Sequence, residues 1–439
     1  MIKPKVLFLL SQYPDIDHLC PVIYILARTN LYNLKILSYG DRADLFEDER
    51  IIFLIKTFNI KVSSIGDYYP IKDSFFYKLE KYKIYWALKC KQTKPYFFFG
   101  KNLKSIFFPR FYYFRLLRLT YELSTNLILN NSEWGVRAYE SEKIDMLITV
   151  HSFTTPYIKS LIDALHKNKI KTISIPHSVY QFKEYDFHIN QKPIKAEYNY
   201  ENFPWKVVFF ENQNRFNFLN SNGVLETRLH KFGSLRFTYW WEKKLINIYK
   251  NQFPKINQNK NTILFISSGP NIVNQDKLEL LMEYFSENCR NINVIVKLHA
   301  RRSFHYQYKD SYPGHIHIVG KEFSTTKLIE LSNFVFFAAS SASLSSLLQN
   351  KVPIYLKFLL KMDISAIEYS GVDICYSFDS LKKILTEISQ NRFISKVNHK
   401  NIDNFLKNIV WGEMDNEVKI RENYLDFFQE NLLKNKSLI

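Results

Sequence analysis

Glycine, cysteine and long apolar runs are all scarce in this sequence of 439 residues. Its 11 glycines exclude collagen-like repeats and glycine-rich linkers. The four cysteines lie far apart and form no Cys-x-x-Cys pair, so we expect neither a disulfide framework nor a zinc site. No apolar run approaches the roughly 20 residues of a membrane span, and the first residues lack a signal-peptide pattern. We therefore expect a cytoplasmic protein that holds no metal and no cofactor.

Positive charge and aromatic side chains are abundant instead. The sequence has 60 lysines and arginines against 42 acidic residues, a net charge of +18, and 16% of its residues are aromatic. An excess of positive charge attracts anionic partners. Nucleic acid, lipid head groups and phosphorylated small molecules all fit this first observation.

The positive charge is concentrated in residues 75–118. This segment holds 11 basic residues and one acidic residue, Glu80, interleaved with 16 aromatic residues. Basic side chains are attracted to anionic head groups, and aromatic rings prefer the membrane interface. The pattern predicts an insertion at about residues 70–120 that docks on the inner face of the cytoplasmic membrane. A helical insertion with buried aromatic residues is the alternative. Binding of single-stranded nucleic acid has no other support, so we expect no nucleic-acid partner.

Short apolar runs alternate with helix-length amphipathic segments along most of the chain. Residues 6–10 and 146–150 are such runs in the first half, and residues 263–266 and 334–337 are such runs in the second. This alternation predicts parallel sheets covered by helices. Because the pattern restarts after a polar joint at 251–261, we expect an α/β fold with two Rossmann-like domains that face each other across a cleft. Ligands of such sheets bind beyond the carboxyl ends of the strands.

Basic and hydroxyl residues follow two predicted strands of the second half. Cations that cluster after the strand at 294–296 require an anion, such as a nucleotide phosphate, unless they form a solvated basic loop. Serines between the strand at 334–337 and the next helix form a phosphate cradle with backbone N–H groups, or they only cap that helix. The predicted donor nucleotide and phosphate-binding residues are Ser268, Gly269, Lys297, His299, Arg301, Ser340, Ser341 and Ser343.

The first half supplies candidates for a catalytic base across the cleft. Asp15, Asp17 and His18 lie in the predicted loop after the first strand, and His151 and His177 each follow a later strand. A carboxylate or an imidazole in such a place can take a proton from a hydroxyl group. The two aspartates are equally suited to cap the following helix, and a lone histidine is often structural. The sequence leaves the choice among the five open.

Several segments of residues 140–360 resemble the CDP-glycerol glycerophosphotransferase and capsule polysaccharide transferase families. Residues 297–302 resemble their Lys-Pro-His-Pro-Arg segment. Residues 340–343, with 351–354, resemble their serine-rich phosphate loop and the Lys-Val-Pro-Ile segment that follows it. Residues 175–177 resemble their Pro-His-Gly strand end. The joint between their halves, Gly-Ser/Thr-Pro-Arg with a later Trp, resembles the predicted hinge residues Gly233, Ser234 and Arg236, with Trp240.

These families are GT-B glycosyltransferase-like enzymes, so the resemblance implies a GT-B fold. It implies an acceptor domain at residues 1–235 and a nucleotide-donor domain at 236–410. The resemblance also implies that a C-terminal helix within 411–439 crosses back to the first domain. Leu235, Leu298 and Ala300 replace prolines of the family pattern, and Ser178 replaces a glycine.

The resemblance further implies a metal-independent glycosyltransferase. It would move a sugar or sugar-like group from a nucleotide-activated donor to a hydroxyl of a surface glycan or lipid-linked acceptor, as in capsule polysaccharide or lipopolysaccharide synthesis. A CMP- or CDP-linked donor is slightly favoured over a UDP-linked one. The alternatives are a nucleotide-sugar 2-epimerase on the same scaffold and a non-catalytic binding subunit for glycan assembly.

Overall fold

A computed structural model describes most of the chain. The residues described are 3–10, 13–38, 43–68, 133–150, 156–176, 204–250, 254–268, 272–298, 312–320, 322–338, 340–361 and 370–433. The predicted membrane-docking segment 75–118 lies outside these ranges. The same is true of His151, His177, Gly269, His299 and Arg301. No helix within the described ranges combines the length and the apolar character needed to cross a membrane.

The first half of the chain builds a parallel sheet of seven strands. They are β1 (Lys5–Leu10), β2 (Asn33–Ser38), β3 (Lys61–Ser64), β4 (Met146–Val150), β5 (Lys171–Ile175), β6 (Val207–Phe210) and β7 (Leu229–Lys231). Their order in the sheet is β3-β2-β1-β4-β5-β6-β7. Leu7 of β1 is aligned with Lys35 of β2 on one side and Leu147 of β4 on the other. Strands β1 to β3 are therefore added toward one edge of the sheet and β4 to β7 toward the other. The change of direction lies between the neighbouring strands β1 and β4, which is where such sheets bind ligands.

The second half repeats this arrangement with six strands. They are β8 (Thr262–Ile266), β9 (Asn293–Lys297), β10 (Ile316–Val319), β11 (Phe334–Phe337), β12 (Val352–Leu356) and β13 (Asp373–Cys375). Their order is β10-β9-β8-β11-β12-β13, all parallel. Strands β8 and β9 are buried along their whole length, as expected for sheets covered on both faces. The predicted α/β fold with two parallel-sheet domains is confirmed.

Helices cover the sheets, and several of them begin at polar caps. In the first half they are α1 (Tyr13–Thr29), α2 (Glu49–Phe58), α3 (Glu133–Glu142), α4 (Pro156–Lys167) and α5 (Gln213–Ser221). In the second they are α6 (Tyr239–Ile248), α7 (Gln275–Asn288), α8 (Thr325–Leu331), α9 (Ser343–Leu348), α10 (Phe378–Ser389), α11 (His399–Phe405) and α12 (Glu417–Leu432). The side chains of Asn274, Asn398 and Asn416 each accept a backbone N–H in the first turn, which satisfies a donor that the helix leaves open.

Helix α1 corrects one sequence-based expectation. Residues 11–18 were expected as a loop, but the helix already begins at Tyr13, so Asp15, Asp17 and His18 lie on it. Pro14 is compatible with this early start. A backbone N–H in the first turn of a helix has no intrahelical acceptor, so a proline there removes no helical hydrogen bond. The three candidate residues are therefore held by a 17-residue helix.

The chain passes between the two halves at two neighbouring segments that touch. The Ser234 N–H donates to the Val410 carbonyl at 2.8 Å, and the Trp411 indole N–H donates to the Phe237 carbonyl at 2.9 Å. A Cβ at Gly233 would lie 2.7 Å from the Trp411 carbonyl oxygen. This close approach explains a glycine at position 233.

Helix α12 packs on the first sheet. The ring centroids of Tyr424 and Phe427 lie 5.3 and 5.1 Å from that of Phe209 on β6. The Tyr424 hydroxyl donates to the Gly233 carbonyl at 3.2 Å. Since Tyr424 is only 2% exposed, this hydrogen bond satisfies a buried hydroxyl group.

Candidate functional site

Three of the predicted donor-site segments meet at one edge of the second sheet. Ser268 comes two residues after β8, Lys297 ends β9, and Ser340 follows β11. Ile266 at the end of β8 is aligned with both Lys297 and Phe337, so the three strands end side by side. The progress of the chain across this sheet reverses between β8 and β11. The segments therefore lie where a parallel sheet opens a ligand crevice.

Lys297 directs its ammonium group to the loop that follows β10. Its Nζ donates to the Gly320 carbonyl and, at 2.7 Å, to the Phe323 carbonyl. The residue is 8% exposed. Burial lowers the pKa of Lys297 from 10.5 to about 8, and the nearby Glu322 carboxylate acts in the opposite direction. The lysine thus holds two carbonyls of this loop, and direct binding of a phosphate stays a prediction.

The predicted serines of the turn before α9 differ in exposure. The Ser343 hydroxyl is buried and donates to the Ser340 carbonyl at 2.6 Å. Ser340 Oγ accepts the Ala342 N–H at 3.3 Å, and Ser340 and Ser341 remain partly exposed. Ser343 therefore closes the turn by bonding to the backbone, whereas Ser340 and Ser341 keep access to solvent.

Asp17 lies between two arginines. Arg236 Nη2 lies 3.1 Å from Asp17 Oδ2, and Arg50 Nη1 donates to Asp17 Oδ1. Arg50 also donates from Nε and Nη2 to the two oxygens of Asp48, at 2.8 and 2.9 Å. Two guanidinium groups favour the ionised form of a carboxylate. Asp17 in this arrangement is a poor proton acceptor and a good anchor for Arg236.

His18 is held by the same arginine. Arg236 Nη1 lies 3.2 Å from His18 Nε2. Because a guanidinium carries only donors, Nε2 must accept, which assigns a neutral ring with its hydrogen on Nδ1. Asp15, one turn earlier, is 3% exposed. The structure thus brings Asp17, His18 and Arg236 into one cluster.

Glu242 on α6 links this cluster to the donor side. Its carboxylate accepts the Ser345 hydroxyl at 2.5 Å and the Gln349 amide at 3.2 Å. Burial raises the pKa of Glu242, while the two donors and the charge of Arg236 lower it. The turn Leu235–Phe237, which carries Arg236, contacts both α1 and α9. Helix α1, which carries Asp15, Asp17 and His18, and helix α9, which follows the serine turn, therefore both contact the turn Leu235–Phe237.

Sequence reasoning missed Asp48, Arg50, Glu211 and Glu242. Glu211 directly follows β6 and is fully buried, with Arg215 Nε at 3.4 Å from its Oε1. Its position directly after a predicted strand is the sequence signal by which Glu211 could have been identified. Asp48, Arg50 and Glu242 carry no such signal, since they lie at or within amphipathic helices. The described residues contain no group of three or more His, Cys, Asp or Glu arranged to hold a metal ion.

No protein-family model and no curated protein matches the sequence. Solved structures do match. The UDP-GlcNAc 2-epimerase of Neisseria meningitidis, bound to UDP-GlcNAc, is similar over 96% of this chain and 100% of its own, with a TM-score of 0.55 and 13% identity. The UDP-GlcNAc 2-epimerase of Methanocaldococcus jannaschii is similar over 92% of this chain and 98% of its own, with a TM-score of 0.52 and 14% identity. The glycotransferase of kitacinnamycin is similar over 98% of this chain and 100% of its own, with a TM-score of 0.52 and 7% identity.

The chain has the GT-B fold. Identities this low show the fold alone. The GT-B expectation from the sequence is confirmed, and the neighbours with this fold include both nucleotide-sugar epimerases and a glycosyltransferase.

Proposed function

We propose that this GT-B protein is a metal-independent glycosyltransferase that uses a nucleotide-activated sugar. The observation that carries the proposal is the meeting of Ser268, Lys297 and Ser340 at adjacent strand ends of the second sheet. A crevice of this kind binds phosphates through backbone N–H groups, hydroxyls and cations. His299 and Arg301, which follow Lys297 in the sequence, complete the proposed donor set with Gly269, Ser341 and Ser343.

The proposed base comes from the first half. We propose that it is one of Asp15, Asp17, His18, His151 and His177, of which Asp17 and His18 are held by Arg236. As the acceptor hydroxyl gives its proton to this base, its oxygen attacks the anomeric carbon of the donor. The bond from that carbon to the phosphate oxygen breaks, and the nucleotide leaves with the electron pair. Cations and backbone N–H groups at the strand ends stabilise the charge on the leaving phosphate.

The donor and the acceptor are the finer part of the proposal. The resemblance to CDP-glycerol transferases favours a CMP- or CDP-linked donor, whereas one similar structure is bound to UDP-GlcNAc. We propose a surface glycan or lipid-linked glycan as acceptor, reached by docking of segment 75–118 on an anionic membrane from the cytoplasmic side. Salt-sensitive sedimentation with anionic liposomes, lost on deletion of that segment, tests the docking.

A second candidate function is nucleotide-sugar 2-epimerisation. The observation in its favour is that two of the similar structures are UDP-GlcNAc 2-epimerases, each matched over 98% or more of its length. An epimerase converts its nucleotide-sugar without any acceptor, which separates it from a transferase.

One experiment distinguishes the candidates. Binding of CMP, CDP and UDP is measured by calorimetry, and the matching nucleotide-sugars are then incubated with and without glycan acceptors. Turnover that needs an acceptor supports the transferase, and conversion of the sugar without acceptor gives the epimerase. Nucleotide binding without turnover gives the non-catalytic subunit, and absence of nucleotide binding refutes the proposal.

A further inference from the structure

Helix α6 lies between the two halves, and one of its faces is packed on the first. The ring centroids of Trp240 and Trp241 lie 5.5 and 5.8 Å from that of Tyr24 on α1, and Lys244 Nζ lies 5.1 Å from the same ring. The Trp240 N–H donates to the Glu417 carboxylate of α12 at 3.0 Å. Aromatic contacts of this kind stabilise a helix position beyond simple area burial. Helix α6 is therefore seated firmly on α1.

The opposite face of α6 presents a carboxylate to the second half. Glu242, 2% exposed, receives the Ser345 hydroxyl at 2.5 Å and the Gln349 amide at 3.2 Å. The Gln349 amide also donates to the Thr326 carbonyl of α8 at 3.1 Å. Burying a carboxylate costs several kcal/mol unless donors compensate it. The two donors compensate Glu242 and at the same time tie α6 to α9 and to the residue that follows it.

The residues that Glu242 holds belong to the helix of the serine turn. Ser345 and Gln349 lie on and just after α9, and the turn Ser340–Ser343 is bonded to the start of the same helix. The Ser343 N–H also donates to the Ser340 carbonyl, at 3.1 Å. A shift of α9 therefore carries the serine turn with it.

Buried groups connect this helix to α1. The turn Leu235–Phe237 contacts both α1 and α9, and its Arg236 holds Asp17 and His18. Helix α6 itself touches α1 through its tryptophans and reaches α9 through Glu242. Packed and hydrogen-bonded contacts of this kind form a contiguous path between α1 and α9.

We propose that Glu242 is a positioning residue of the donor site, which fixes α9 and its serine turn relative to α1 and so couples donor binding to the seating of α1. The inference rests on the proposed function, because it takes the serine turn as the phosphate site. Coupling of this kind is reciprocal. A nucleotide bound at the turn stabilises α1 by the same free energy with which the seated α1 strengthens nucleotide binding.

The test uses E242Q and S345A, with S286A as control. E242Q keeps the shape of the side chain but sets an amide N–H₂ against the donors of α9. S345A removes the other partner and serves if E242Q folds poorly. Ser286, on α7, is also a helix serine whose hydroxyl donates a hydrogen bond, but to a backbone carbonyl, that of Met282 at 3.0 Å, and not to Glu242. The probe is whichever of CMP, CDP and UDP wild-type protein binds best, and backbone deuterium exchange is followed in parallel.

We expect E242Q and S345A each to weaken nucleotide binding about tenfold, and the double variant to be no weaker than the worse single one. Exchange over residues 340–349 should accelerate in both and stay unchanged in S286A. Bound nucleotide should slow exchange over residues 13–29 in wild type but not in E242Q. Unchanged affinity and unchanged exchange in E242Q and S345A would overturn the inference. If wild type binds no nucleotide, the proposed function fails, and exchange at 340–349 alone decides whether Glu242 positions α9.

Discussion

Replacing Lys297 by methionine removes an ammonium group that is 8% exposed and bonded to two loop carbonyls. Burial depresses the pKa of Lys297 in the folded chain from 10.5 to about 8. Protons are therefore bound more weakly in the folded chain than in the unfolded one. The contribution of the lysine to stability is complete above the unfolded pKa and is lost as the pH falls through the folded pKa.

The size of the effect follows from this shift. One pKa unit corresponds to about 1.4 kcal/mol, so the fall from 10.5 to about 8 separates the high-pH and low-pH limits by about 3 kcal/mol. About 2 kcal/mol of this difference falls between about pH 7 and about pH 9.5. The free energy of unfolding of wild type, relative to K297M, should rise by this amount over that range.

Urea unfolding of both proteins at the two pH values measures the difference. The control is K277M, because the exposed Lys277 also donates to a backbone carbonyl, that of Phe358 at 3.0 Å. Its difference from wild type at each pH gives the baseline for removing a lysine that donates to a backbone carbonyl. A difference between K297M and wild type that does not change with pH would mean that the ammonium of Lys297 is solvated, and the proposed role of this lysine in holding the loop after β10 would be wrong.

Three further substitutions test other parts of the structure. Arg50→Met leaves the buried Asp48 without its bidentate partner and should lower the free energy of unfolding by about 3 to 5 kcal/mol; a loss below about 1 kcal/mol, the value typical of an exposed pair, would contradict the burial described. Gly233→Ala sets a methyl group 2.7 Å from a carbonyl oxygen of the second crossing and should lower the melting temperature, whereas Gly314→Ala, which meets no atom within 4 Å, should not; equal melting temperatures would argue against the close crossing. Because burial raises the pKa of Glu242, wild type should lose stability relative to E242Q as the pH rises from the usual glutamate range toward neutrality. Melting temperatures of both proteins over this range measure the change, and a wild type that gains stability relative to E242Q would contradict the raised pKa.

The sheets were predictable from the sequence because their strands are buried on both faces. A run such as 334–337 is apolar at every position, and the structure places β11 at those residues. Continuous burial leaves a continuous apolar run, which a one-dimensional reading detects. The order of the strands was not predicted; in the structure, β9 and β11 lie on the two sides of β8, which places Lys297 and Ser340 at the same edge of the sheet.

The partners of the candidate residues were not predictable in this way. Arg236 and His18 are 218 positions apart in the sequence, and no local pattern relates them. Glu242 looks like an ordinary polar position of an amphipathic helix, and only the packing of α6 against α9 shows that it is buried. Hydrogen bonds between distant elements depend on tertiary geometry, which the hydrophobic periodicity of a sequence does not report.

The polar and charged candidate residues described above direct their hydrogen bonds to the protein itself. Lys297 bonds to backbone carbonyls, Ser343 closes a turn, and Arg236 bonds to Asp17 and His18. Among the described residues, Lys297 and Ser343 therefore shape the crevice through hydrogen bonds to the backbone. A donor phosphate would then be bound mainly by backbone N–H groups and by residues 299–301, for which preorganised donors matter more than net charge. Lys297→Arg should therefore impair nucleotide binding nearly as much as K297M. A planar guanidinium does not fit the place between the Gly320 and Phe323 carbonyls that the ammonium group occupies. Full rescue by arginine in a calorimetric titration would show instead that the positive charge itself binds the phosphate.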